Sequence, residues 1–200
     1  MFNSKQERIT DFITLWKNYA SEENDDLIIG NNKLMNYLET GGFFTAPAST
    51  KYHGAYEGGL YDHSRQVFLR LKDLTEKNDL VWEREESPFF IGMFHDLCKC
   101  DQYIKKEGTR TDFNGLTIQG DGLSHYEYNP DTLLKGHGEK SVLILSHMLT
   151  LTEEEMLCIR YHMGAYEKDE WPEYDKAIRK ANNLLYVNLA DMLASKVDDI

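Results

Sequence analysis

The sequence predicts an all-α protein that carries one small β-hairpin. Apolar residues recur at helical spacing through most of the chain, and helix-start signals precede several of these segments. The stretch from about 102 to 130 instead shows short alternating runs separated by glycines, the pattern of a hairpin insertion. Because 200 residues are enough to bury a sizeable core, we expect a single domain over 1–200.

Charge and cysteine content narrow the partners and the compartment. The chain has 34 acidic and 22 basic residues, and its net charge of −12 disfavours extended nucleic acid as a partner. A small anionic substrate remains compatible, because a metal ion and a lysine can create a positive field locally. Cys98, Cys100 and Cys158 lack paired spacing, and no apolar run reaches membrane-spanning length. We expect a cytoplasmic protein with reduced thiols and no membrane association, and the sequence leaves its oligomeric state open.

Two packing helices are predicted in the N-terminal region, 1–50. Apolar residues at helical spacing fill residues 5 to 20, and a second helix over Leu34, Met35 and Leu38 stops at Gly41-Gly42. Neither segment carries side chains that suggest chemistry. We therefore expect the functional residues within 52–198.

A glycine-bearing turn then leads into a helix whose core face includes Leu60, Val67 and Leu71. His63 falls on that same face. It is a candidate metal ligand, and the alternative is a hydrogen-bonded core histidine. His53 lies in the turn, where it could reach a substrate or simply cap the turn.

The segment from Ser87 to Lys99 is predicted to be the central helix. Ser87 is a suitable N-cap, Pro88 suits the first helical position, and the following residues to Phe94 are nearly all apolar. His95, Asp96 and Lys99 would then lie on neighbouring parts of one helix face. Burying such charges is very costly unless they are paired, and a metal ion would pair them. The alternative is a buried His95–Asp96 hydrogen bond.

The hairpin insertion has two turn signals, Asn114-Gly115 and Asp121-Gly122. It follows the His95-Asp96 segment directly, so it is either a lid over a site or a plain surface insertion. We interpret His125 within it as a surface residue.

Two more histidines are placed at helix ends. His137 precedes a strongly apolar helix over 142–145, and His162 ends a helix opened by the capping box Thr152–Glu155. The helix dipole alone favours a histidine in the last turn, which is the alternative interpretation of His162. His147 is ten residues after His137, on a different face, and we interpret it as structural.

The last helix is predicted from about Tyr174 to about Val197, with two stripes. We expect one stripe to face the core, and the other, of small and polar residues, to allow close helix approach with an inward Asp191. The core stripe is Leu185, Leu189 and Met192; the second is Ala177, Ala181, Leu184, Asn188, Asp191 and Ser195. An inward aspartate without an arginine partner calls for a cation.

Together the candidate ligands are four imidazoles and two carboxylates, from His63, His95, Asp96, His137, His162 and Asp191. This mixed set suits Mn, Fe, Co, Ni or Zn better than Ca, with Mg also open. Six ligands exceed what one catalytic ion uses while keeping open positions, so one ion or two ions bridged by Asp96 are compatible.

In these motifs the chain resembles the HD-domain metal-dependent phosphohydrolase superfamily, from Tyr52 to Asp198. The ordered pieces are Gly-Gly-Leu-x-x-His ending at His63, His95-Asp96 followed by Lys99, Gly-His at His137, a helix-terminal His162, and Asp191 in Leu-Ala-Asp-Met-Leu-Ala-Ser. The resemblance implies a helical bundle. It also implies that His63, His95, Asp96 and Asp191 bind one metal and that His137 and His162 bind a second. Met163 departs from some two-metal members, which have a second histidine there, and the Gly-Tyr-Pro signature of the cyclic-di-GMP branch is missing.

The activity that this resemblance implies is hydrolysis of a phosphomonoester or phosphodiester, in a nucleotide or a small nucleotide-like substrate. Asp96 and Lys99 would be catalytic, with Lys99, Lys140 and His53 contacting the substrate; a surface position is the alternative for either lysine. A subset of the same superfamily, similar to myo-inositol oxygenase, holds two irons and cleaves carbon bonds with O2. That chemistry is the alternative function.

Overall fold

The computed structural model describes residues 2–20, 33–111, 117–134, 136–165 and 170–200, and this part of the chain is mostly helical with one two-stranded antiparallel sheet. The predicted helical body with a small hairpin is therefore confirmed. The helices are α1 Lys5–Tyr19, α2 Lys33–Thr40, α3 Gly59–Lys77, α4 Ser87–Phe94, α5 Gly138–Ser146, α6 Glu153–Tyr161, α7 Trp171–Lys180 and α8 Leu184–Lys196, with a 3₁₀ turn at Leu97–Cys100 and strands β1 Tyr103–Thr111 and β2 Thr117–Tyr128.

Helix α3 packs against both α4 and α8 and forms the centre of the bundle. The α3–α4 approach is close because Gly92 lies against the α3 backbone: a Cβ at this position would lie 2.5 Å from the Cα of Phe68. Apolar and aromatic side chains, among them Phe12, Phe89 and Phe94, fill the adjoining core. This packing brings the first turns of α3 beside the end of α4, where His63 and His95 lie.

The N-terminal helix is tied to the start of α3 by a buried ion pair. Arg8 donates to Asp62 at 2.9 Å, and both side chains are about 95% buried. Tyr56 donates to the same carboxylate at 3.0 Å. A buried pair of this kind is costly to break, because either partner alone would be an uncompensated charge. The Arg8–Asp62 pair therefore holds in place the start of α3, which carries His63.

The predicted continuous helix through Lys99 is wrong. Helix α4 ends at Phe94, His95 is its C-cap, and Asp96 leaves helical geometry before the 3₁₀ turn begins. Ser87 is also the first helical residue rather than the N-cap, and its hydroxyl donates to Glu155 at 2.9 Å. The change of backbone direction at Asp96, rather than a shared helix face, places this carboxylate between histidines of different helices.

The predicted last helix is two helices, and the core stripe predicted for it is wrong. α7 ends at Lys180, and Asn183 in the break donates to the carbonyl of Val81 and to Glu154. On α8 the expected core stripe is about half exposed, at 49%, 41% and 52% for Leu185, Leu189 and Met192. The small and polar stripe lies inward, as expected for close helix approach: its members are buried except Asn188, which is half-buried. Ala190 and Ala194, beside this stripe, are also fully buried and allow α8 to approach the bundle closely.

Two further local predictions need correction. Asp121-Gly122 is not a turn: it lies inside β2, where Gly122 pairs with Gly108 at a shift in register. Asn114-Gly115 lies outside the described residues. The apolar residues 142–145 in the second half of α5 are only partly buried, since Leu145 is fully buried whereas Leu143 is 48% exposed. No helix in the described part of the chain has the length and apolar character needed to cross a bilayer.

Candidate metal centre

The structure brings the six predicted ligands together around Asp96. Atom Oδ2 of Asp96 lies 3.5 Å from Nε2 of His63 and 3.3 Å from Nε2 of His95. Its other oxygen, Oδ1, lies 2.9 Å from Nε2 of His137 and 3.5 Å from Nε2 of His162. Asp191 completes the first group, with Oδ1 3.2 Å from Nε2 of His63. Each carboxylate oxygen of Asp96 therefore faces its own pair of imidazoles.

Three of the four imidazoles are oriented by backbone carbonyls. Nδ1 of His63 lies 2.9 Å from the carbonyl oxygen of Ile200, Nδ1 of His95 lies 2.9 Å from that of Gly92, and Nδ1 of His162 lies 2.8 Å from that of Ile159. A carbonyl oxygen can only accept, so each Nδ1 carries the proton. Each Nε2 is then left with a free lone pair, as in metal-ligating histidines.

The converging atoms have no hydrogen-bond partner in the part of the chain that the structure describes. Nε2 of all four histidines and Oδ1 of Asp96 are buried, and none makes a hydrogen bond of acceptable geometry with the described residues, in spite of the short separations. Burying five such groups unsatisfied is costly, and native proteins rarely do it. Among the described residues the cluster therefore lacks partners for these atoms, and a bound cation would supply them.

The donor set and its spacing fit divalent ions. Two ligand atoms, each about 2.1 Å from an ion, are about 3.0 Å apart at right angles and about 3.4 Å apart in a tetrahedron. The separations around Asp96 run from 2.9 to 3.5 Å. Three groups of possible ligands lie close together in the described residues: His63, His95 and Asp191; His95, Asp96 and His162; and Asp96, Cys98 and His137. A carboxylate at the shared edge can bridge two ions through its two oxygens.

The charge states suit cation binding. Burial opposes ionisation of Asp96, but Lys99, His95 and His137 outweigh it and hold the pKa of Asp96 well below its usual value. Asp191 behaves in the same way, with its pKa lowered chiefly by His63 against the effect of burial. Burial lowers the pKa of His95, which keeps this ring neutral. For His162 burial has the same effect, but Asp96 outweighs it and raises the pKa, so an ion would compete with a proton for Nε2.

Lys99 lies at the edge of this centre. Its ammonium is 2.6 Å from Oδ2 of Asp96, and only 7% of the residue is exposed. Burial disfavours the charged form, but the attraction of Asp96 is stronger and the pKa of Lys99 is raised. A fixed positive charge therefore stands beside the possible ligands, as the sequence predicts.

The other two predicted substrate contacts are placed differently. The ring of His53 lies 4.9 Å from that of His63, and its buried Nδ1 has no partner among the described residues. Burial, together with nearby His63 and Lys99, lowers the pKa of His53 to about 4, so the ring is neutral. Lys140 is buried, but its ammonium donates to Asp101 and, at 3.3 Å, to Thr132 rather than to the cluster.

The remaining histidines lie outside the centre, as predicted. His125 is half exposed and pairs with Glu127 at 2.9 Å. His147 is the C-cap of α5 and is exposed. It occupies the same helix position as His162 does on α6, but it faces solvent.

Two contacts of the centre were missed in the sequence. Sγ of Cys98 lies 3.5 Å from Nδ1 of His137, and burial raises the pKa of this thiol to about 12. Asn188 donates to the carbonyl of His162 at 2.7 Å and holds the end of α6 against α8. The position of Cys98 two residues after Asp96 was a usable signal, but the 3₁₀ turn that directs its side chain was not predictable.

Comparison with known proteins gives a limited result. No family model matches the chain, and no solved structure matches it significantly. The chain is similar to the argininosuccinate lyases of two strains of Dehalococcoides mccartyi, CBDB1 and BAV1. It is 28% and 27% identical to them over 158 residues. The match covers 76% of this chain and 31% of each lyase, so the chain spans about a third of the length of these relatives.

Proposed function

We propose that this chain is an enzyme, a metal-dependent phosphohydrolase of the HD-domain superfamily that cleaves a phosphomonoester or phosphodiester of a small nucleotide-like substrate. The observation that carries the proposal is the set of buried imidazole nitrogens around Asp96, which have no partner among the described residues, with the ammonium of Lys99 beside them. This arrangement combines a divalent-ion centre with a fixed positive charge, which is the combination that phosphate-ester chemistry uses.

Each residue of the centre has a distinct task in this reaction. His63, His95, Asp96 and Asp191 would hold one divalent ion, and His137 and His162 with the second oxygen of Asp96 would hold another. When bound, such ions lower the pKa of water and neutralise charge on phosphoryl oxygens. The backbone carbonyls behind His63, His95 and His162 keep the ring nitrogens aimed at the centre.

Lys99 and His53 would act on the substrate. The ammonium of Lys99 is held by Asp96, so it can donate to a phosphoryl oxygen without first being ordered. Such pre-organised charge stabilises the transition state of phosphoryl transfer. His53 is neutral, and its buried Nδ1, which has no partner among the described residues, would form a hydrogen bond with the substrate if binding uncovers it.

Two other reactions are alternatives to phosphate hydrolysis. A di-iron oxygenase would use the same histidine and aspartate ligands. The name of the two relatives points to cleavage of argininosuccinate, although only 31% of each lyase is matched. We favour phosphate hydrolysis because a buried lysine beside the ligands suits an anionic phosphate.

The test is metal analysis followed by a substrate panel. Protein purified without added metals is analysed for bound ions. It is then assayed on p-nitrophenyl phosphate, bis(p-nitrophenyl) phosphate, nucleotides and argininosuccinate with and without Mn²⁺. We expect metal-dependent phosphate release that Asp96→Ala abolishes and that the exposed control Asp175→Ala retains. Full turnover by Asp96→Ala, or activity on argininosuccinate alone, would refute the proposal.

A further inference from the structure

His137 is held differently from the other three histidines of the centre. Those three place Nδ1 against a backbone carbonyl at 2.8 to 2.9 Å. Nδ1 of His137 instead faces the sulfur of Cys98 at 3.5 Å. Sulfur is a weak hydrogen-bond acceptor compared with a carbonyl oxygen. The orientation of His137 therefore depends on one side chain of this sequence rather than on the backbone.

The geometry separates a ligand role from an orienting role. Nε2 of His137 is buried, unpartnered and 2.9 Å from Oδ1 of Asp96, itself an unpartnered oxygen of a residue that is 1% exposed. The two nitrogens of one imidazole point in different directions and cannot bind the same ion. Because Nε2 faces Asp96, Nδ1 is the nitrogen that meets the sulfur, and this second nitrogen is where the partner of a ligating histidine is normally found. The sulfur also lies within 4.8 Å of a carboxylate oxygen of Asp96, so direct ligation by Cys98 is the alternative role.

Cys98 is itself fixed by the start of α5. Its backbone N–H donates to the hydroxyl of Ser141 at 3.0 Å, and that hydroxyl donates to the carbonyl of His137 at 3.3 Å. The side chain of Cys98 is fully buried. The 3₁₀ turn, Ser141 and His137 thus form a closed set of contacts that locates the sulfur relative to the ring.

We propose that Cys98 is a positioning residue that orients the His137 imidazole. It thereby sets the affinity of the ion on the His137–His162 side of Asp96 without ligating that ion. The inference rests on the proposed metal centre. It makes the two ions unequal, because only the ion on this side depends on a thiol.

The experiment is a calorimetric titration of the metal-free protein with Mn²⁺ and with Co²⁺. We expect Cys98→Ala to weaken one ion by about 10- to 100-fold, the usual effect of losing such an outer partner, and to leave the other ion unchanged. His137→Gln should remove the same ion. Cys98→Ser should recover most of the affinity, because a hydroxyl can also accept from Nδ1. Cys158→Ala, which removes another fully buried thiol, is the matched control and should bind as the wild type.

A second readout reports on the ring itself. In ¹⁵N NMR of the metal-free protein, the His137 nitrogens should show the Nδ1–H tautomer in the wild type and Cys98→Ser, and a loss of this preference in Cys98→Ala. Equal weakening of both ions by Cys98→Ala would show a structural role and overturn the inference, as would no change at all. A thiolate-to-cobalt charge-transfer band that Cys98→Ser removes would make Cys98 a ligand and also overturn it.

Failure of the proposed metal centre has a different signature. If the wild type bound neither Mn²⁺ nor Co²⁺, the centre and this inference would both fall. If Cys98→Ala bound two ions with the same affinities as the wild type, only the inference would fall. A single ion that is insensitive to His137→Gln would likewise remove the inference and leave a one-ion centre in place.

Discussion

The ammonium of Lys99 lies 2.6 Å from Oδ2 of Asp96, the same oxygen that faces Nε2 of His63 and His95. Oδ2 of Asp96 is thus shared between the Lys99 ammonium and two ring nitrogens that are candidate metal ligands. This sharing predicts that Lys99 and a bound ion compete for Oδ2 of Asp96. It also predicts that both contact the same phosphate substrate.

Replacement of Lys99 by methionine tests that relationship. In the metal-free protein we expect Lys99→Met to lower the free energy of unfolding by about 3 kcal/mol, because Asp96 is left as a buried charge without its lysine. Saturating Mn²⁺ should restore most of this loss, while phosphate-ester turnover stays low. Lys140→Met is the matched control: its partner Asp101 is half exposed and remains hydrated. Urea unfolding with and without Mn²⁺ measures the free energy of unfolding of the two variants. Equal losses in Lys99→Met and Lys140→Met would contradict the prediction.

Metal binding should stabilise the wild type measurably. An ion present at 100 times its Kd contributes about 2.7 kcal/mol. For a chain of this size that corresponds to a rise in Tm of about 5–10 °C. His162→Gln should reduce the shift, and His147→Gln, which changes an exposed histidine at the same helix position, should not. Differential scanning fluorimetry with Mn²⁺ and EDTA decides this; identical shifts in both variants would count against His162.

Gly92 should couple helix packing to the site. A methyl group there would lie 2.5 Å from the Cα of Phe68, so Gly92→Ala must push α4 away from α3. We expect a loss of about 1–3 kcal/mol in stability, typical of overpacking. Metal affinity should also weaken, because His63 and His95 lie on the separated helices. Calorimetric titration of the folded variant checks the second point, and unchanged affinity would show that the helices can shift without moving the ligands.

The exposure of Leu189 and the burial of Ala190 on α8 lead to a prediction about stability. Leu189→Gln should change the free energy of unfolding by less than about 0.5 kcal/mol, because Leu189 is 41% exposed. Ala190→Leu, one residue further on, should cost about 1–3 kcal/mol, because Ala190 is fully buried against the bundle. Paired denaturant titrations compare them. A larger loss of unfolding free energy in Leu189→Gln than in Ala190→Leu would support the core stripe that hydrophobicity predicts.

The α8 result explains what the sequence could and could not reveal. Periodicity indicated a helix here and placed Asp191 inward on a stripe that allows close approach, but hydrophobicity assigned the core to the other stripe. Leu185, Leu189 and Met192 are the more apolar stripe, yet close approach to α3 selects the smaller side chains, such as Ala190 and Ala194. Helix spacing therefore predicts which residues share a face, whereas the depth of packing decides which face is buried.

The candidate centre was predictable for a different reason. His63, His95, Asp96, His137, His162 and Asp191 were each identified as polar groups in apolar surroundings, and the structure brings all six together. The way they meet was not predictable, since Asp96 reaches both groups through a break in helical geometry. The carbonyls of Gly92 and Ile159, which orient two rings, have no signature in the side-chain sequence.

The order in which this protein assembles follows from the spread of its ligands along the chain. The six residues come from five segments, and the pair His63 and Asp191, whose side chains are 3.2 Å apart, is separated by 128 positions. In the unfolded chain His95 and Asp96 are adjacent, whereas the other candidate ligands are far away in sequence and come close only when the chain folds. Long-range closure comes late in folding and is slow. We therefore expect the proposed ion to be absent from the folding nucleus and to act on the folded state, by slowing unfolding rather than by speeding folding.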